Sequence, residues 1–295
     1  MTKQKMPGTF LGANGLELYY QSWHPQAAAK AVLIIVHGHG AHSDIFTNVV
    51  EYLVEQDYTI YSFDLRGHGR SPGKRGYINS WDEYRLDLDA FVKLTQAQEP
   101  ELPLFLAGQS MGGTIVLDYV LRTTQAPPFE GGVASLRTSP QLAGLVLISP
   151  ALGLSVAPWK LLIGQLLSSV WPRFTLSAGI DFATASRDPK VIAANSQDPL
   201  RHGQGTARLA RELLKTIDWV RANGNKLPVP LLMLHGEADR VTLFASSQIF
   251  FEGLTLADKE MPKYPDSYHE LHNDLNYREV LADLKDWLER HLEPD

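Results

Sequence analysis

Three residues that are far apart in the chain carry the side chains needed for acyl transfer through a serine. Ser110 lies in the pentapeptide Gly108-Gln109-Ser110-Met111-Gly112, Asp239 lies in the segment His235–Arg240, and His269 follows nearer the C-terminus. A serine hydroxyl is a poor nucleophile at neutral pH, so it needs a base and a group that orients the base. In one known arrangement of such catalytic residues, the serine, the acid and the histidine follow one another along the chain in this order. We predict Ser110 as nucleophile, Asp239 as orienting acid and His269 as base.

The segments around Ser110 predict how the serine is presented. The apolar run Leu104–Ala107 indicates a buried strand, and the residues from Gly113 onward have the pattern of a helix. A strand, the pattern G-x-S-x-G and a helix together predict a nucleophile elbow, in which the serine occupies a strained turn with its hydroxyl exposed. The flanking glycines are expected because the backbone passes close to other backbone there.

Both partners of Ser110 have competitors in the sequence. Glu237 competes with Asp239 for the role of acid, and Asp239 by itself has the position of a turn or helix-capping residue. His272 competes with His269, which we place at the opening of the last helix. Asp239 and His269 are favoured because their order and their positions after late strands agree.

The developing negative charge of an attacked carbonyl needs amide donors, and two segments can supply them. One donor is the amide of Met111, the residue after the nucleophile. The second is predicted in the loop His37-Gly38-His39-Gly40, with the amide of His39 as the candidate. The histidines of this loop and His42 have no carboxylate or cysteine at ligand spacing, so we predict no metal.

Apolar runs and helical patterns alternate along most of the chain, which predicts an α/β fold with a mostly parallel sheet covered on both faces. An N-terminal hairpin is expected around Asn14-Gly15. Further strands are predicted at Ala31–Val36, Thr59–Phe63, Leu104–Ala107, Leu142–Ile148, Leu231–Leu234 and Lys259–Tyr264, and helices at Phe46–Glu55, Trp81–Leu94, Ser110–Arg122, Leu243–Leu254 and Asn276–Leu292.

Residues 151–226 interrupt this alternation, because no clear strand is evident there. We interpret them as a helical cap inserted into a core formed by residues 1–150 and 227–295. Trp159, Ile163 and Leu167 recur at helical spacing within the cap. One interpretation is that this stripe packs the cap helix on its own domain. The other is that the stripe forms an apolar wall for a lipid chain and that this wall also touches a membrane surface transiently.

The composition is that of an ordinary globular protein and excludes several classes. The chain has 295 residues, 44% hydrophobic residues, a net charge of −6 and no cysteine. The acidic balance argues against a nucleic-acid partner, and the absence of cysteine excludes disulfides and a thiol nucleophile. With no signal peptide and no apolar run of membrane-spanning length, we expect a cytoplasmic protein, peripheral to membranes at most. The oligomeric state is left open.

Together these residues resemble the α/β-hydrolase superfamily, in particular its monoacylglycerol lipase and lysophospholipase-like branch. The resemblance runs nearly end to end and is carried by the following segments: His37–Ser43, Asp64–Ser71, Gly73–Tyr77, Gly108–Gly113, Ser186–Pro189, Asp198–Leu200, His235–Arg240 and Tyr268–His272. It implies an eight-stranded, mostly parallel sheet beneath a mobile helical cap. It also implies cofactor-independent hydrolysis of esters of single-chain lipids, with monoacylglycerols as the expected substrates.

Two positions depart from that branch. Ile45 stands where some relatives carry an arginine, and the stretch that ends in Asn195-Ser196-Gln197 lacks the acidic residue that their caps supply to a glycerol head group. Asn195 still offers an amide. We predict Ile45, Asn195 and the apolar cap residues as substrate contacts. A lysophospholipase, a broad carboxylesterase and a non-catalytic ligand-binding homologue stay as alternatives.

Overall fold

The computed structural model describes residues 5–125, 141–153, 168, 170–177 and 184–292. In these residues the strands are β1 Lys5–Leu11, β2 Glu17–Trp23, β3 Ala31–Val36, β4 Tyr58–Phe63, β5 Leu104–Gln109, β6 Leu142–Ile148, β7 Thr175–Ser177, β8 Gln204–Thr206, β9 Leu231–Gly236, β10 Lys259–Glu260 and β11 Lys263–Tyr264. A central sheet runs in the order β1-β2-β4-β3-β5-β6-β9-β10, and β11 also pairs with β9.

Among the described strands of this sheet, the antiparallel pairs are β1 with β2, which form the N-terminal hairpin, and β2 with β4. The other pairs, among β3 to β6 and β9 to β11, are parallel. The α-helices are α1 Thr47–Val54, α2 Asp82–Gln98, α3 Met111–Gln125, α4 Pro189–Gln197, α5 Ala207–Asn223, α6 Phe244–Glu252 and α7 Tyr277–Arg290. The parallel strands end at one edge of the sheet, where ligands of open α/β sheets bind.

The core lies on both faces of the sheet, as the continuous apolar strands predict. Alternate residues of β3 divide between the faces: Val32 and Ile34 join one buried cluster, and Leu33 and Ile35 join the other. All six residues of β3 are buried. Each buried aliphatic side chain of this size stabilises the fold by about 1.5–3 kcal/mol. The sheet is therefore a rigid platform for the loops at its carboxyl edge.

The predicted strands and helices of the core are confirmed, with ends shifted by a few residues, and so is the α/β-hydrolase sheet. The last predicted strand is divided into β10 and β11, so the sheet has nine strands where the resemblance implied eight. The prediction that residues 151–226 contain no strand was wrong, because β7 and β8 form an antiparallel pair there. Each of these strands has three residues and little apolar character, so the sequence carries no strong strand signal. Within the described residues no helix is long and apolar enough to cross a membrane.

Candidate active site

Ser110 occupies the turn between β5 and α3 with a φ of 56°, in the left-handed region that non-glycine residues rarely adopt. Its amide donates to the carbonyl of Ile148 on the neighbouring strand at 2.9 Å. A Cβ on Gly112 would overlap the carbonyl oxygens of Val36 and His37, so the helix approaches β3 too closely for any side chain there. The elbow predicted from G-x-S-x-G is thus present in its strained form.

Asp239 and His269 contact each other directly, although 30 positions separate them: the distance from Asp239 Oδ2 to His269 Nδ1 is 2.8 Å. The aspartate follows β9 and the histidine follows β11, which pairs with the end of β9. Both side chains are almost completely buried. Because the carboxylate faces Nδ1, that nitrogen carries the proton, and the lone pair of Nε2 is left to act as a base.

The carboxylate of Asp239 is held by five donors. Oδ1 accepts from the amides of Val241 and Thr242 at 2.7 and 3.0 Å. Oδ2 accepts from His269, from the Thr242 hydroxyl at 2.8 Å and from His235 Nε2 at 3.1 Å. Burial alone would raise the pKa of Asp239, but His269 and His235 outweigh it and lower the pKa well below its usual range. Asp239 is therefore ionised wherever the protein is folded at ordinary pH.

The competing residues lie elsewhere. Glu237 is exposed to solvent, and His272 is buried with its ring 5.2 Å from that of Phe46. Burial lowers the pKa of His272 to about 4, so it is neutral at pH 7. The prediction that His269 opens the last helix was wrong, because a 3₁₀ turn at Leu271–Asn273 follows it and α7 begins only at Tyr277.

Backbone contacts connect the serine to the Asp–His pair across neighbouring strands. Ser110 is bonded to Ile148, and the next residue, Ser149, donates its amide to Leu234 of β9 at 2.8 Å. The Ser149 carbonyl oxygen lies 3.2 Å from the Thr242 hydroxyl, and that hydroxyl lies 3.2 Å from His269 Nδ1. The three predicted residues therefore follow β5, β9 and β11 at the same edge of the sheet, and β6 lies between β5 and β9.

The loop after β3 lies against the nucleophile. A Cβ on Gly38 would stand 2.7 Å from Ser110 Cβ, so glycine is required for this approach. His39 follows it in this loop, and Met111 is the buried first residue of α3. Met111 directly follows Ser110 in the chain, and Gly38, which precedes His39, lies against Ser110. The role of the His39 and Met111 amides as donors to an oxyanion stays a prediction.

Two histidines of this region, His37 and His42, have hydrogen-bond partners within the protein. The Nδ1 atom of His37 lies 2.7 Å from the Gly38 carbonyl, and its Nε2 accepts from the amide of Leu65 at 3.0 Å. His42 Nε2 lies 2.6 Å from Asp198 Oδ2. Burial lowers the pKa of both His37 and His39 to about 4. Among the described residues no group of three or more potential ligands could hold a metal ion.

Residues 195–202, which belong to the segment predicted as a cap, contact the loops on both sides of the site. Arg201 forms an ion pair with Glu270 at 2.9 Å, and each side chain is only 4% exposed. The Asn195 amide lies 3.3 and 3.5 Å from the two Glu270 oxygens. Sequence reasoning missed this pair because the two charges are 69 positions apart, although Glu270 directly follows His269.

The predicted substrate contacts divide into two groups. Ile45 is buried in the core cluster that contains Phe46, and Asn195 is half-buried beside Glu270. Their contact with a substrate stays a prediction. The apolar cap residues Trp159, Ile163 and Leu167 lie outside the described residues.

This sheet, the elbow and the Asp–His pair at its carboxyl edge define an α/β-hydrolase with the residues of a serine hydrolase. The chain belongs to the Hydrolase_4 family, described as serine aminopeptidase, S33, whose model matches residues 27–276.

Several relatives that are similar over most of their length are monoacylglycerol or monoglyceride lipases. The chain is 30% identical over 287 residues to the monoacylglycerol lipase of Mycolicibacterium smegmatis, covering 96% of this chain and 97% of that one. It is 30% identical to the monoglyceride lipase of Homo sapiens, covering 90% and 84%. The crystal structure of Paleococcus ferrophilus monoacylglycerol lipase superposes with a TM-score of 0.81 at 28% identity, covering 94% and 100%.

Proposed function

We propose that the protein hydrolyses carboxylic esters of single-chain lipids, with monoacylglycerols as its preferred substrates and Ser110 as the nucleophile. The observation that carries the proposal is the buried 2.8 Å contact between Asp239 and His269 at the sheet edge that also bears the strained Ser110. The similarity to monoacylglycerol lipases over nearly the full length supports the choice of substrate.

The reaction proceeds in two halves. His269 Nε2 takes the Ser110 proton as Oγ attacks the ester carbonyl, and the oxyanion is held by the amides of His39 and Met111. The tetrahedral intermediate collapses with cleavage of the bond to the glycerol oxygen, which leaves with the proton from His269. Water then gives its proton to His269 and attacks the acyl-enzyme, which releases the fatty acid and restores Ser110. Asp239 holds the imidazole and stabilises its charged form throughout.

Asn195 contributes to recognition of the glycerol end. Its contacts with Glu270, at 3.3 and 3.5 Å, lie at the long end of the hydrogen-bond range, so a substrate hydroxyl competes with them. Asn195→Ala is expected to raise KM for a monoacylglycerol several-fold and to leave KM for a p-nitrophenyl ester of the same acyl chain unchanged. An equal effect on both esters would contradict this role.

The cap also provides a surface for transient contact with a lipid bilayer. Val170 and Trp171, which follow the predicted cap stripe of Trp159, Ile163 and Leu167 along the chain, are 76% and 61% exposed. Large exposed apolar side chains of this kind favour an interfacial position. Flotation with liposomes should decrease when Trp171 and Trp159 are replaced by Ala, and unchanged flotation would contradict the contact.

A substrate panel tests the proposed function. It contains monoacylglycerols of graded acyl length, lysophosphatidylcholine, a p-nitrophenyl ester and an aminoacyl p-nitroanilide, each assayed with wild type and Ser110→Ala. We expect the highest kcat/KM for a monoacylglycerol and loss of all ester hydrolysis in the variant. Equal rates across head groups would favour a broad carboxylesterase, a preference for the lysophospholipid would favour a lysophospholipase, and a preference for the anilide would favour a peptidase.

A further inference from the structure

A second histidine lies beside the Asp–His pair. His235, in β9, is fully buried, and its Nε2 lies 3.1 Å from Asp239 Oδ2, the same oxygen that faces His269 Nδ1. Its other ring nitrogen, Nδ1, lies 2.9 Å from the hydroxyl of Ser247, a buried residue of α6. One carboxylate oxygen thus stands between two imidazole rings.

The partners of His235 determine which nitrogen carries its proton. An ionised carboxylate can only accept hydrogen bonds, so the nitrogen that faces Asp239 must be Nε2–H. In the neutral ring Nδ1 then bears the lone pair and accepts from the Ser247 hydroxyl. The opposite tautomer would set two lone pairs against each other. The contacts therefore form one directed chain from Ser247 through His235 to Asp239.

Resting on the triad assigned under the proposed function, we propose that His235 is a positioning residue for the reaction. Its Nε2–H anchors Oδ2 and withdraws charge from the carboxylate, which limits the basicity that Asp239 confers on His269. Hydrogen bonds to a charged group are stronger than those between neutral groups. Loss of the donor from His235 therefore leaves more negative charge on Asp239 Oδ2, and this strengthens the interaction of Oδ2 with the ring of His269.

The other groups around the pair do not substitute for this donor. The amides of Val241 and Thr242 bind Oδ1, and the Thr242 hydroxyl is the one further donor to Oδ2 among the contacts of the described residues. The titratable groups that face Asp239 are His235 from β9 and His269 from the loop after β11. His272 from the following 3₁₀ turn interacts electrostatically with His269, and it interacts with Glu270 and Arg201 in turn.

Two substitutions of similar size distinguish the loss of the hydrogen-bond donor from a change in packing. His235→Gln places an amide N–H near the position of Nε2, whereas His235→Met fills the space without a donor. The measurement is kcat/KM for a p-nitrophenyl ester from pH 5 to 9, with thermal unfolding of each variant followed by circular dichroism. We expect the acid limb of His235→Met to move to higher pH by about half to one unit. The acid limb of His235→Gln should stay within a few tenths of a pH unit of that of wild type.

An acid limb of His235→Met that coincides with that of wild type would overturn the proposal, and so would an equal displacement in both variants. Labelling of every variant by a fluorophosphonate at pH 8 is the check on the site itself. If wild type is neither labelled nor active, the proposed function fails. If it is labelled and active while the limbs coincide, only the role of His235 fails.

The tautomer provides a second measurement, which holds even if His235→Met does not fold. In ¹⁵N-histidine spectra of wild type, His235 should appear as the Nε2–H form. Ser247→Ala should weaken that preference and move the acid limb in the same direction as His235→Met, by a smaller amount. A wild-type His235 in the Nδ1–H form would overturn the proposal.

Discussion

Glu270→Gln is expected to destabilise the protein by about 3 kcal/mol at pH 7, and this difference should shrink as the pH falls. Burial alone would raise the pKa of Glu270, but Arg201 and other neighbours outweigh it and lower the pKa from 4.5 to about 2. A difference of this size corresponds to about 3 kcal/mol of preferential stabilisation of the folded, ionised form. Breaking a buried ion pair by removing one charge typically costs about 3–5 kcal/mol, which agrees with this figure because it describes the same interaction with Arg201.

The pH dependence follows from the direction of the shift. A carboxyl whose pKa is depressed in the folded state contributes stability that is fully present above its unfolded pKa of 4.5. That stability is lost as the pH falls from about 4.5 towards about 2, because the wild-type carboxyl is then protonated in both states. Wild type and Glu270→Gln should therefore converge in stability at low pH.

Urea denaturation at pH 7, 5, 4 and 3, followed by circular dichroism, measures this convergence. Glu260→Gln is the matched control, because the Arg290–Glu260 pair has a similar distance of 2.7 Å but both side chains are about half exposed. Exposed pairs contribute only about 0–1 kcal/mol. A Glu270→Gln difference that is constant from pH 7 to 3, or no larger than that of the control, would refute this account of the buried pair.

Two further changes test the site and the elbow. Asp239→Asn should lower kcat for an ester by about 10⁴-fold, because an amide no longer fixes the imidazole in its working tautomer. Glu237→Gln, at an exposed position, should change kcat by less than about two-fold. Comparable losses in both variants would show that the acid has been assigned wrongly. Gly112→Ala forces a methyl group against the Val36 carbonyl and should abolish activity or soluble folding. Gly203→Ala is the control, because a methyl group there meets no atom within 4 Å, and the melting temperature of this variant should lie within a few degrees of that of wild type. Retained activity in the first variant would contradict the close approach of α3 to β3.

The sequence predicted those features that have a local cause. Ala31–Val36 and Leu142–Ile148 were predicted with the correct ends, because a strand buried on both faces is a continuous apolar run. The elbow was predictable because its turn requires glycine at fixed offsets. The short strands β7 and β8 had no such signal, since pairing with a distant partner stabilises them.

The polar contacts around the site were not predictable for a related reason. The bond between His235 and Asp239 and the pair Arg201–Glu270 depend on how loops from different strands fold over one edge. Residue type alone shows that a buried charge needs a partner, but not which residue supplies it. The position of His269 was also misjudged, because the 3₁₀ turn that delays α7 leaves no clear mark in the sequence.

The most direct test of the central claim is covalent labelling of the protein by a fluorophosphonate, with the modified residue located by peptide mass spectrometry. The account predicts one adduct, on the peptide that contains Ser110. It also predicts loss of ester hydrolysis in proportion to labelling, and no adduct in Ser110→Ala. An adduct on another serine, or full hydrolysis of monoacylglycerols by Ser110→Ala, would contradict the assignment of Ser110, His269 and Asp239 as the catalytic residues.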